Sequence, residues 1–103
     1  MTTQETKGYK FEKVATLSLR EGDTIKFADQ YEGTTIARVK RMRRASTDKI
    51  AIEIDALWST KGDNWYVKWT KEEQEKYGSC VIYKRRFSGK GQAFGFMLKG
   101  TAK

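Results

Sequence analysis

The chain contains no histidine and no proline, a single cysteine and no long apolar run. Each absence excludes something. Histidine is the commonest acid–base group near neutral pH and the commonest transition-metal ligand. Without it, and with Cys80 alone, neither a zinc site nor a triad-type nucleophile has its usual parts. One cysteine forms no intramolecular disulfide, which fits a reducing compartment and a cytoplasmic location. No stretch reaches the roughly 18 apolar residues of a membrane span, and Met1 to Lys7 lacks the apolar centre of a signal peptide. These absences lead us to expect a protein that is not an enzyme, uses no cofactor or metal, and works away from membranes.

What is present is positive charge, unevenly placed. The net charge is +8, from 21 Lys and Arg against 13 Asp and Glu. Residues 1–37 carry net −1, residues 38–47 net +5, residues 48–75 net −3 and residues 76–103 net +7. Two separate blocks therefore hold the whole excess. At 103 residues, 38% of them hydrophobic and 13% aromatic, the chain has the size of one domain with one core built on large rings and β-branched residues.

Residues 1–10 have little apolar content besides Tyr9 and read as a flexible N-terminal arm, with one domain over residues 11–100. Leu17 and Leu19, then Ile25 and Phe27, alternate with polar residues on either side of Glu21-Gly22-Asp23, which suggests two short strands and a turn. In residues 34–45 the β-branched Thr34, Thr35, Ile36 and Val39 argue for a strand, although Ile36, Val39 and Met42 recur every third residue. A helical turn or a strand with a bulge between Val39 and Met42 would each explain that spacing, and the absence of an N-cap favours the bulge. Ala45 to Lys49 then forms the connecting turn. Ile50, Ile52, Ile54 and Ala56 give the cleanest alternation in the chain, a strand with one buried face. Trp65, Val67 and Trp69 predict another, with that face inward.

Thr70-Lys71-Glu72-Glu73 has the form of a capping box and opens a helix of about two turns, stopped at Gly78. Cys80 to Phe87 and Phe94 to Lys99 predict a closing hairpin around Ser88-Gly89-Lys90-Gly91-Gln92, with Phe94, Phe96 and Leu98 inward. The glycines of that turn lack the spacing of a P-loop. The result is a mostly β fold, a small barrel of 5–7 short strands with one short helix near residues 71–77. Leu19-Arg20-Glu21-Gly22-Asp23-Thr24-Ile25, followed by Gly33 and Arg38-Val39, resembles the opening of SH3-like modules over the first half of the chain. A helix ahead of the last two strands is similar to the OB arrangement, so the topology stands open between SH3-like and OB-like barrels.

The first functional candidate is Arg38, Lys40, Arg41, Arg43 and Arg44. A solvated edge strand would explain it, but arginine outnumbers lysine four to one, and the guanidinium fork matches phosphate geometry where edge protection needs only charge. The second is Lys84, Arg85 and Arg86 with Lys90, flanked by Tyr83, Phe87, Phe94 and Phe96. Rings beside cations suit nucleic acid, in which bases stack while phosphates are neutralised. Trp58 and Tyr66 are the rings expected to be exposed, Tyr66 because it alternates away from Trp65, Val67 and Trp69. Glu53 and Asp55 on a solvated strand face, and Glu72, Glu73 and Glu75 on the helix, do not make a catalytic pair. Cys80 reads as a small buried hydrophobe.

The expected partner is DNA or RNA, held through the phosphate backbone with little sequence specificity. The alternative is a protein-interaction module, an accessory or inhibitor protein of viral or mobile-element type, docking on an acidic protein surface. No membrane partner is expected, and either a monomer or an edge-paired homodimer fits.

Overall fold

The computed structural model describes residues 8–29, 33–61, 65–86 and 94–102. Seven strands and one α-helix follow one another as β1 (Tyr9–Ala15), β2 (Thr24–Ala28), β3 (Thr34–Ser46), β4 (Lys49–Lys61), β5 (Trp65–Lys68), α1 (Lys71–Tyr77), β6 (Ser79–Arg85) and β7 (Phe96–Ala102). All pair antiparallel, in the order β1-β7-β2-β3-β4-β5, with β6 on β4 beside β5. The 13-residue β3 and β4 hold the sheet together. β4 gives one edge to β3, and shares the other between β6 along Lys49 to Asp55 and β5 along Trp58 to Lys61. The fold is mostly β with one short helix, as the alternation implied. Hydrogen bonding does not close it into a barrel, since nothing among the described residues pairs β1 with β5 or β6.

The sheet coils so that one face packs against itself. Leu19, Ile25, Ala37, Val39, Ile52, Ile54 and Met97 form the buried cluster, with Val14, Phe27, Met42 and Ile82 packed against it. This cluster draws on the β1-β7-β2 side and on the β3-β4-β6 ribbon. Each fully buried Ile contributes roughly 1.5–3 kcal/mol relative to exposure. Three irregularities in the β3–β4 ladder set which side chains join the core, at Ile36/Ala37, Val39/Arg41 and Arg44/Ser46. The second leaves Lys40 unpaired, so Val39 and Met42, three apart in sequence, both point inward. That explains the ambiguous spacing of this segment. The first places Leu57 as the extra residue, which turns Trp58 away from the face carrying Ile54 and Ala56.

Several expectations need correction. Thr16 to Ser18 is a 3-10 turn, not a strand, and Leu17 is exposed. Tyr9 and Lys10 belong to β1, paired along Ala102 to Phe96, so part of the expected arm is sheet. The turn after β3 is only Thr47-Asp48. β6 and β7 form no hairpin, because β6 pairs with β4 and β7 lies between β1 and β2. The glycine-rich turn between them falls outside the described residues. Met97, not Phe96 or Leu98, is the inward residue of β7, since its partner Val14 shares the core.

The helix matches its signal closely. Thr70 Oγ1 accepts from the Glu73 amide at 3.1 Å, and Glu73 Oε1 accepts from the Thr70 amide at 2.8 Å. Gly78 keeps a right-handed φ of −73°. The helix therefore ends without a left-handed residue: the Gly78 carbonyl accepts from the Ala56 amide and returns the chain to β4. The Gly22 turn does need a left-handed residue, at φ +90°, and its amide donates to the Val39 carbonyl.

Candidate nucleic-acid interface

β6 lies along the N-terminal half of β4, opposite β3, so the two basic blocks flank one strand. Directly paired residues share a sheet face, and the register gives cross-strand rows: Ser46, Lys49, Arg85; then Arg44, Ile50, Lys84; then Arg43, Ala51, Tyr83. Arg86 continues beside the hairpin, its amide donating to the Asp48 carbonyl at 2.7 Å. Segments about 40 residues apart in sequence thus converge at one end of a three-stranded ribbon. Lys49 joins them, and sequence reasoning missed it because it was assigned to the turn.

The first block does not act as a unit. Arg41 and Arg43 both donate through Nε to Glu53 Oε2, at 3.0 and 2.8 Å, and Lys40 Nζ lies 3.9 Å from Asp55 Oδ1. The hydrogen bonds from Arg43 and then Arg41 hold the Glu53 carboxyl below the usual carboxylate range, and Glu53 raises Arg43 in return. Three of this block's five cations are therefore engaged within the fold. Arg38, Arg44, Arg85 and Arg86 are exposed and Lys49 and Lys84 half-buried, and none of the six makes an ion pair among the described residues. Lys84 Nζ donates to the Phe96 carbonyl at 3.4 Å, linking the ribbon to β7. Lys90 and Phe87 lie outside the described residues.

The aromatic candidates are redistributed. Tyr66, expected outside, is only 7% exposed. It pairs with Thr60 on the face carrying Trp58 and Ile36, and Ile36 itself is fully buried, so that face is covered near Tyr66. Val67, expected inside, is exposed, and Trp69 is half-buried with Nε1 donating to Ser59 Oγ. The side chain of Trp65 is not among those described. Trp58 is half-buried, with Lys68 Nζ 5.9 Å from its ring centroid. Tyr83 stands exposed among the ribbon cations, with Lys49 Nζ 5.4 Å from its ring. Phe94 is half-buried, and Phe96 is exposed under Lys13 at 5.0 Å.

Cys80 is exposed at the start of β6 where burial was expected, because that end of the ribbon is open. Partial desolvation and then the charge of Asp55 push its thiol up, away from the nucleophilic thiolate. Asp55 accepts from Ser79 Oγ at 2.8 Å. Among the described residues no group of three or more Cys, Asp or Glu is placed to hold a metal ion, and no helix is long and apolar enough to cross a membrane. In comparisons with protein-family models, with curated proteins and with solved structures, no significant match to this chain emerged.

Proposed function

We propose that this protein binds nucleic acid through phosphate contacts made at the end of the β3-β4-β6 ribbon. The observation that carries the reading is the gathering at one hairpin end of Arg44 and Lys84 on the face of Ile50, Lys49 and Arg85 on the opposite face, and Arg86 beside them, without carboxylate partners among the described residues. Phosphates neutralised there release counterions, which supplies affinity without reading sequence. Arginine adds bidentate geometry, and the short hairpin brings the cations to the outermost point of the ribbon.

A set of neutralised variants tests this. With Arg44, Lys84, Arg85 and Arg86 all changed to Gln, affinity for a random oligonucleotide at fixed salt is expected to fall about tenfold or more. A control with Arg20, Lys10, Lys71 and Lys76 changed to Gln loses the same charge away from the ribbon and is expected to bind nearly as the parent. Equal loss in both would mean that binding follows net charge alone. Parent affinity in the ribbon variant would move the function to another surface, and the rival reading, a module docking on an acidic protein, would then take precedence.

For the fold, we read the coiled sheet as closer to the SH3-like than to the OB-like alternative. The run β2-β3-β4-β5 pairs neighbours in chain order and β7 returns beside β2, which supports a meander with a returning last strand. Alternate amides of β1 are expected to exchange quickly with solvent. Uniform protection along β1 would mean instead that its free edge is paired and the barrel closed.

A further inference from the structure

The outer face of the sheet, away from the core, carries a pattern separate from the ribbon end. Its register aligns Lys68, Trp58, Ile36, Lys26, Leu98 and Lys13 in one row across six strands, from β5 to β1. At about 4.8 Å per strand the row spans about 24 Å. The row holds three lysines and no carboxylate, and it is covered at its centre, where Ile36 is fully buried. In the neighbouring row Phe11 lies over Gly100, whose missing side chain makes room: a Cβ there would sit 2.6 Å from Phe11 Cε1. The ring therefore rests against the sheet with Lys26 Nζ 4.6 Å from its centroid.

This arrangement repeats. Four lysine–ring pairs lie on the outer face: Lys26 on Phe11, Lys13 on Phe96, Lys68 on Trp58 and Lys49 on Tyr83. None of the four lysines has an acidic partner among the described residues. Among the described strand residues, the carboxylates on this face are Glu53 and Asp55, both already engaged by cations. α1 packs mainly against β4 and β6. The depression lined by Lys13, Lys26, Phe96 and Leu98, with Phe27 and Met97, has a volume of about 270 Å³. That is below the roughly 300–1,000 Å³ of pockets enclosing drug-sized ligands, so it suits contact with an extended molecule.

We infer that this outer face is a stacking platform for single-stranded nucleic acid, entered from the ribbon end, and this inference rests on the nucleic-acid reading above. An exposed ring with a lysine ammonium over it, as at Phe96 and Tyr83, has two uses. A base can take the ammonium's place on the ring, and the displaced lysine then meets a phosphate of the same strand. A duplex keeps its bases stacked inside and cannot make that exchange. The face also lacks a helix of the kind that enters a major groove. The cations flank the covered centre at Ile36, so a polyanion meets them beside the exposed rings of Phe96 and Tyr83.

Binding of the full chain to a homopyrimidine DNA strand of about 16 nucleotides, and to a blunt duplex of equal length, tests the inference. The strand is expected to bind more tightly than the duplex. Phe96→Leu and Tyr83→Leu, both at exposed positions, are each expected to weaken strand binding by about 5-fold or more and to leave duplex binding unchanged. Tyr83→Phe, which keeps the ring, is expected to bind as the parent. Salt-sensitive binding in which the duplex is held as tightly as the strand, or the leucine variants keep parent affinity for the strand, overturns the platform and leaves the phosphate-binding reading standing. Absence of salt-sensitive binding to either probe overturns both.

Discussion

Glu53 accepts from two arginines and so withholds them from any outside anion. Glu53→Gln is expected to release Arg41 and Arg43, raising oligonucleotide affinity and steepening its salt dependence. Unchanged affinity would mean that this flank of the ribbon does not meet the ligand. The pH dependence follows from the direction of the shift. A carboxyl lowered in the folded state stabilises the fold fully above its unfolded pKa, and the contribution fades as pH falls through the lower folded value. In a carboxyl-carbon NMR titration Glu53 is expected to protonate below the ordinary glutamate range, and Glu53→Gln should flatten the acid limb of the stability curve. Gly100 makes a second residue-scale point. Gly100→Ala places a methyl against Phe11 and is expected to cost about 1–3 kcal/mol in denaturant unfolding, as overpacking does. Most of that cost should vanish in the Phe11→Ala background. Additive costs would mean that the two do not touch.

Little of this was legible from residue types. Tyr66 and Phe96 were assigned to the wrong sides because alternation gives the period of a strand but not its phase. Phase is set by neighbours: Val14 and the core choose Met97 over Phe96, and the extra residue Leu57 turns Trp58 outward.

Among the elements, the ladder irregularity at Lys40 has the largest consequence. It keeps Val39 and Met42 on the core side while Arg41 and Arg43 face solvent. Deleting Lys40, the extra residue, would leave Val39, Arg41, Met42 and Arg43 in plain alternation opposite Ile54, Glu53, Ile52 and Ala51, with Met42 still inward. A denaturant midpoint close to the parent's is therefore expected. A large loss would show that the bulge itself shapes the core. The helix offers a smaller test. Thr70→Ala removes one half of the capping box and is expected to cost roughly 0.5–2 kcal/mol. The capping box, the Ile50–Ala56 strand and the bulge were all readable, since each is fixed by interactions within a few residues. β1 and the separation of β6 from β7 were not. Those pairings join segments up to about 90 residues apart, and no local pattern announces them.

At the scale of the whole molecule, two basic blocks distant in sequence meet because β4 is long enough to pair with β3 on one edge and β6 on the other. Composition disclosed the charge, but only the strand order shows where it gathers, and only side-chain contacts show that Arg41, Arg43 and Lys40 are already occupied. The proposed binding surface is therefore smaller at the ribbon end than the sequence implied, and the inferred platform would extend it over rings elsewhere on the sheet. The most direct measurement is the affinity of the full chain for a random single-stranded oligonucleotide between about 50 and 200 mM salt. With four to five phosphates neutralised, the logarithm of the association constant should fall against that of salt with a slope of about −3 to −4. A flat line would contradict the phosphate-binding surface outright.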